Sequence, residues 1–315
     1  MGRGANIPID HFYINLKSLT HSRKIGDYLK INKKLGTCIV TILTLAVLVS
    51  PLVSPINAIT GNYTPDNGKH PYVCLVGFYD ENKEWLWRTT GSLISPTVVL
   101  TAGHGTDGAT YAAVWFDEVI AYDPEHPDIN GYPNYGATNA YQGTPHTMDG
   151  FGYYLNNNGL VGFVTNDAGI VVLDKPVPSS VVSQYAQLPD EDTVDTLKVG
   201  TKVIHVGYGV QYEVTPKNNG GPYGAWTGQR ARFYATANLL SNKDFLSNTF
   251  MKCSENAAQG KGGTAFGDSG GPTLLGSTDT TLAVTSFGPN SNCAGVGYYF
   301  RVDTIDVLEW VNGFL

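Results

Sequence analysis

Ser269 lies at the centre of GDSGGP, Gly267 to Pro272, and a serine hydroxyl is a weak nucleophile without a partner base and an anion site. The hexapeptide is suited to supply the anion site. Its glycines at 267, 270 and 271 open backbone conformations closed to residues with a Cβ. In such a turn the amides of Gly267 and Ser269 can point at one spot, where the oxygen of a tetrahedral intermediate becomes negative. Asp268 is a carboxylate wedged between them, and burying it demands a cation. A candidate base stands upstream: His104 follows a β-branched run and sits between Gly103 and Gly105, where a loop could expose its ring. The chemistry in view is acyl transfer through an activated serine. A glycine-rich turn and a structural histidine would be the plainer reading of each motif alone.

The elements that must position these groups are short strands. Charged residues make up only 15% of the 315, while Gly (37), Tyr (19) and Pro (17) are plentiful, which favours a loop-rich β protein. Tyr72–Tyr79 is a largely apolar run and reads as a strand. Trp85–Thr90 suggests a second, and 91–101 continues the rhythm. Further strands are expected at Val199–Tyr208, Arg232–Asn238, Leu282–Phe287 and Tyr298–Val302. Residues 123–159, rich in Tyr, Asn, Gly and Pro, read as a solvated loop overhanging the cleft. Their His126, His146, Asp123, Glu125 and Asp128 lack any familiar metal-ligand spacing, so no metal or cofactor is expected. No phosphate-binding loop, dinucleotide fingerprint or repeat is present.

The first 58 residues read as an address. Lys30, Lys33 and Lys34 form a positive region, Cys38–Val53 is mostly apolar, and Asn57-Ala58 closes the stretch with a small residue. A signal cleaved after Ala58 is expected, in preference to a membrane anchor, because Pro51 and Pro55 interrupt the end of the run. That segment holds seven Lys/Arg and two acids, which leaves 13 basic against 25 acidic side chains from Ile59 onward, a net −12. A body that acidic repels nucleic acid and anionic lipid, so neither partner is expected.

Three motifs, taken in order, resemble the trypsin/chymotrypsin-like serine proteases. TAGHG (101–105) is similar to the family's TAAHC, and GDSGGP is its nucleophile motif. Between them, Asn166 to Leu173 (NDAGIVVL) resembles its NDIALL-type segment around the acid. The order His104, Asp167, Ser269 is that of chymotrypsin. Gly207-Tyr208-Gly209, Ser286-Phe287-Gly288 and Gly297-Tyr298-Tyr299 resemble secondary motifs. Residues 304–315, apolar at 305, 308 and 311, resemble the C-terminal helix. The resemblance spans Ile59–Leu315 and implies an all-β fold of two antiparallel six-stranded Greek-key barrels with a C-terminal helix. The first barrel would run from 59 to 188 and the second from 189 to 315, with Pro176–Leu188 crossing between them.

What the resemblance implies is a secreted serine endopeptidase of the bacterial type, a monomer acting on protein or peptide. His104, Asp167 and Ser269 would form the triad, and the Gly267 and Ser269 amides the oxyanion hole. Ile59, in ITGN, would be the mature N-terminus paired with Asp268. Gly263, with Thr264 next to it, maps to the floor of the specificity pocket and Gly288 and Gly297 to its walls, with Ser286 and Phe287 also substrate-binding. No acid lies between Lys261 and Phe266, so an open, uncharged slot for an apolar or aromatic P1 side chain is expected. The alternative is an inactive homologue serving as a binding module. Cysteine usage departs from the family: Gly105, Thr89 or Thr90, and Ala265 stand where cysteines are common. After signal removal Cys74, Cys253 and Cys293 remain. Either Cys253 and Cys293 form a bridge beside the pocket, or all three are buried thiols, and Cys74 reads as a core thiol in either case.

Overall fold

The computed structural model describes residues 61–155, 161–214, 225–242, 248–290 and 293–315. The expected signal segment and Ile59 lie outside them. In chain order, β1 is Tyr63–Pro65, β2 Val73–Tyr79, β3 Trp85–Ser95, β4 Val98–Thr101 and β5 Tyr111–Trp115. Then come β6 (Tyr141–Thr147), the hairpin β7 (Gly152–Leu155) and β8 (Val161–Thr165), and β9 (Gly169–Leu173). The second half supplies β10 (Lys202–Gly207), the hairpin β11 (Tyr212–Val214) and β12 (Ala225–Thr227), and β13 (Phe233–Ser241). It ends with β14 (Phe250–Glu255), β15 (Pro272–Leu275), β16 (Thr281–Phe287) and β17 (Gly295–Arg301). Helices are short: α1 Gly103–Thr106, α2 Thr193–Thr196 and α3 Ile305–Asn312.

Six strands close the first barrel in the order β2-β3-β4-β9-β6-β5, all antiparallel. Closure leaves no sheet edge, and the apolar runs explain it: every residue of β2 is buried, as is every residue of β4. The second barrel runs β13-β10-β15-β16-β17-β14 and closes where β14 returns to β13. β1, which precedes the first barrel in sequence, adds to the outside of β13 in the second. The expected boundary near Leu188 falls in the connection from β9 to β10. There Ala186 donates to the Leu93 carbonyl of the first barrel, and Gln187 bridges Thr280 of the second.

Four sequence readings are corrected. Thr90 and Gly91 do not separate two strands, because β3 runs unbroken through both. Residues 141–147 are not loop but a barrel strand, despite Gly143 and Pro145. β6 pairs with β5 only as far as Gly143, so Pro145 faces β9 alone and its missing N–H interrupts nothing on the β5 side. β14, FMKCSE, is a strand outside those expected from the sequence. In α3 the buried side chains are Val307 and Val311, one turn apart, while Ile305 is exposed.

An arginine ties the barrels together. Arg232, just before β13, is buried, and its Nε donates to Asp66 Oδ2 at 2.8 Å. Its Nη1 donates to the carbonyls of Val73 and Phe116 in the first barrel and to the Tyr208 hydroxyl in the second. Burial works against the charge of Asp66, but His70 and Arg232 outweigh it and hold its carboxyl below the usual range. Removing one partner leaves a buried charge uncompensated. Asp66→Ala should therefore cost about 3–5 kcal/mol in denaturant unfolding. Replacing both charges, Asp66→Leu with Arg232→Met, should recover much of that loss. A single-variant loss below about 1 kcal/mol would contradict this role.

Candidate active site

β4 and β9 are antiparallel neighbours, with Thr101 opposite Gly169. His104 follows the end of one strand on α1, and Asp167 precedes the start of the other, so both emerge at the same end of the first barrel. Asp167 is fully buried. His104 N donates to its Oδ1 at 2.8 Å, and His104 Nδ1 lies 3.0 Å from each carboxylate oxygen. A ring nitrogen facing a carboxylate must carry the hydrogen, which leaves Nε2 as the basic position. Ser286, expected only to line the cleft, also donates its hydroxyl to Asp167 Oδ2. Burial pulls the His104 pKa down, but the charge and hydrogen bond of Asp167 outweigh it and hold it above its ordinary 6.5.

Ser269 comes from the second barrel, on the loop between β14 and β15, and lines the same cleft as His104. The loop's backbone is largely committed. Asp268 N donates to Ala265 O, Gly270 N to Thr285 O and Gly271 N to Asp268 O. Among the described residues, the amides of Gly267 and Ser269 donate to no protein acceptor. Gly267 has φ +97°, a left-handed conformation that its missing Cβ permits. Two unspent amides flanking a committed one are what an anion site requires.

Where cysteines are common in the resembling family, threonines hold the loop. Thr90 N donates to Ser269 O at 2.9 Å, and Thr90 Oγ1 to Gly267 O at 2.8 Å. Thr89 packs against Gly105, leaving no room there for a Cβ. The possible bridge of Cys253 to Cys293 is not formed. Cys253 points into the core of the second barrel, where burial pushes its thiol up, whereas Cys293 lines the cleft. Cys74 is a core thiol as expected.

Asp268 is fully buried and accepts from Gly209 N at 2.7 Å and Ala265 N at 2.9 Å. Burial raises its pKa to about 6, against the pull of those amides and the charge of Arg88. Among the described residues no cation forms an ion pair with it. Its expected partner Ile59 lies outside them. However, Gly61 already bridges Gly262, and the Asn62 side chain donates to the carbonyls of Ala257 and Lys261.

The cleft has a volume of about 600 Å³, and its lining includes Thr264, Ser286, Phe287 and Gly288. Its floor is not as expected. Gly263 and Gly297 are absent from the lining, and Glu255 stands there instead. The expectation of an uncharged slot is therefore corrected. No acid lies between Lys261 and Phe266, and Glu255 arrives instead from the end of β14. Among the described residues, no grouping of three or more His, Cys, Asp or Glu could hold a metal.

A profile of the family described as Trypsin matches residues 59–311. A brachyurin from the crab Leptuca pugilator is 29% identical over 227 residues, covering 70% of this chain and 84% of that protein. That relative lends no support to a bacterial type. Among solved structures, an HL collagenase superposes with a TM-score of 0.57 at 17% identity, over 80% of this chain and 96% of that one. A scabies mite inactivated protease paralogue, S-I1, gives 0.52 at 18% identity, over 81% and 98%. At such identities these two structures speak for the fold alone.

Proposed function

The chain belongs to the trypsin family, and on that premise we propose that it is a secreted serine endopeptidase, a monomer that cleaves protein or peptide through an acyl-enzyme. Ser269 attacks the scissile carbonyl while His104 Nε2 takes its proton and later delivers it to the leaving amine. Asp167 holds the imidazole tautomer and stabilises the imidazolium, with Ser286 bracing its Oδ2. The amides of Gly267 and Ser269 receive the oxyanion. The observation that carries this reading is His104 Nδ1 held at 3.0 Å between both oxygens of a buried carboxylate, in one cleft with Ser269.

The alternative of an inactive binding module is weaker. One fold neighbour is named as inactivated, but here His104, Asp167 and Ser269 are all retained, with His104 and Ser269 lining one cleft, which favours activity. Digestion of an unfolded protein substrate, blocked by phenylmethylsulfonyl fluoride, tests the reading. No cleavage by the mature protein would favour the binding module. The apolar P1 preference expected from sequence rested on an uncharged floor, and Glu255 removes that support.

A pH dependence follows from His104. The base must be neutral to act, and Asp167 favours its protonated form, so protonation sets in above pH 6.5. kcat/KM should fall about tenfold per pH unit below an inflection that lies above 6.5. Asp167→Asn should move that inflection down. A limb inflecting below pH 6 in the parent enzyme would contradict the assignment of His104 as base.

A further inference from the structure

Glu255 ends β14 and is only 3% exposed, yet it lines the cleft that holds His104 and Ser269. Its two oxygens are used differently. Oε1 accepts from Thr264 N, Thr264 Oγ1 and the Tyr299 hydroxyl. Oε2 has no hydrogen-bond partner among the described residues, and it is not one of the sealed, unpartnered atoms of the core. Tyr299 is itself fixed by stacking on His205, with centroids 4.2 Å apart and planes 7° from parallel. The anchored oxygen is thus rigid, and the other is left for the cleft.

The surrounding sequence is cut to fit this side chain. A Cβ on Gly263 would come within 2.5 Å of Glu255 Cβ, and one on Gly297 within 2.2 Å of its Oε1. The two glycines that read as an open floor and wall are the room Glu255 occupies. Among the described residues no Lys, Arg or His forms an ion pair with it. Burial raises its pKa against the pull of its three donors, as befits an acid with no countercharge. A buried carboxyl that lacks a cation is stabilised by a ligand that brings one.

We infer that Glu255 is a specificity-determining residue at the base of the cleft, selecting peptides with lysine or arginine at P1. The inference rests on the endopeptidase reading and names the substrate class of that site. Phe287 and Ala265 line the same cleft as Glu255 and suit the methylene stem of such a side chain, while Oε2 receives its charged tip. With Oε1 already committed to three donors, Glu255 offers one oxygen. It cannot clamp a guanidinium through two parallel bonds, so lysine is accepted as readily as arginine.

The test uses the mature enzyme and four peptides that differ only at P1, carrying Lys, Arg, Phe or Leu. Lys and Arg should be cleaved at least about 10-fold more efficiently than Phe and Leu, and within about threefold of each other. Glu255→Gln keeps the shape and the Oε1 acceptor. It should lower kcat/KM for Lys and Arg about 100-fold while leaving Phe and Leu within about threefold. Benzamidine, an amidinium, should compete with peptide in the parent enzyme and weaken about 10-fold or more in Glu255→Gln. Should that variant not fold, the P1 profile and benzamidine competition in the parent enzyme decide the matter. A parent enzyme that prefers Phe or Leu, or an unchanged Lys-to-Phe ratio in Glu255→Gln, would overturn the inference and leave the endopeptidase intact. If none of the four peptides is cleaved and the sulfonyl fluoride does not modify Ser269, both readings fall.

Discussion

Ser269→Ala and His104→Ala are each expected to lower kcat on a cleaved peptide by about 10⁶, and Asp167→Asn by about 10⁴. The size follows from how the groups depend on one another. Without His104 the Ser269 hydroxyl keeps its proton, and without Ser269 the base has nothing to activate, so each single loss removes the whole covalent route. Asp167→Asn preserves the shape but reverses the logic at Nδ1. A carboxamide nitrogen facing His104 favours the wrong tautomer and places the hydrogen on Nε2. The geometry makes this substitution severe, because Asp167 takes both the backbone amide and the ring nitrogen of His104. Combining Ser269→Ala with His104→Ala should cost little more than either alone. Kinetics of the purified, folded variants check this. Additive losses would mean that the two residues do not act as a unit.

The second large effect concerns the N-terminus. Enzyme whose chain begins at Ile59 should be active, and protein that retains preceding residues should be weaker by roughly 10²–10⁴-fold. That range corresponds to the about 3–5 kcal/mol cost of leaving a buried carboxylate unpaired. Asp268 is such a carboxylate. With no cation paired to it among the described residues, burial raises its pKa to about 6. An ammonium at Ile59 would hold it ionised and keep the Gly267 and Ser269 amides in place. The chain is already docked at Gly61 and Asn62, so two residues, about 7 Å of extended chain, remain between that anchor and the terminus. Edman sequencing of the active protein should begin Ile-Thr-Gly. Asp268→Asn in that mature form should lose activity to a similar extent. Full activity in protein that keeps residues before Ile59 would rule the pairing out.

The proposed triad was legible because each member sits in a short local motif whose chemistry can be read from neighbours: His104 among glycines, Asp167 before an apolar run, Ser269 inside GDSGGP. β2, β10 and β16 were legible for a similar reason, since each is a short segment built mainly of apolar and β-branched residues. Glu255 was not, because its role comes from packing across strands. Its hydrogen-bond partners are Thr264 and Tyr299, nine and 44 residues away. Read along the chain it is an acid ending a mixed segment. Gly263 and Gly297 misled for the complementary reason: a glycine leaves space, and sequence alone does not say whether substrate or protein fills it. β6 was hidden by Gly143 and Pro145, which read as loop residues until the pairing shows which side of the strand is free. Thr90 was noted only as a missing cysteine, although its hydroxyl and amide clamp the nucleophile loop.

The central claim is that Ser269 is a nucleophile activated by His104, and covalent labelling tests it most directly. Mature enzyme would be treated with phenylmethylsulfonyl fluoride, weighed intact, and mapped by peptide mass spectrometry while residual activity is followed. One sulfonyl group per chain is expected, on Ser269, rising in step with the loss of activity and absent from His104→Ala on the same timescale. Full inactivation with Ser269 unmodified, or stoichiometric labelling of Ser269 with cleavage undiminished, would contradict the account.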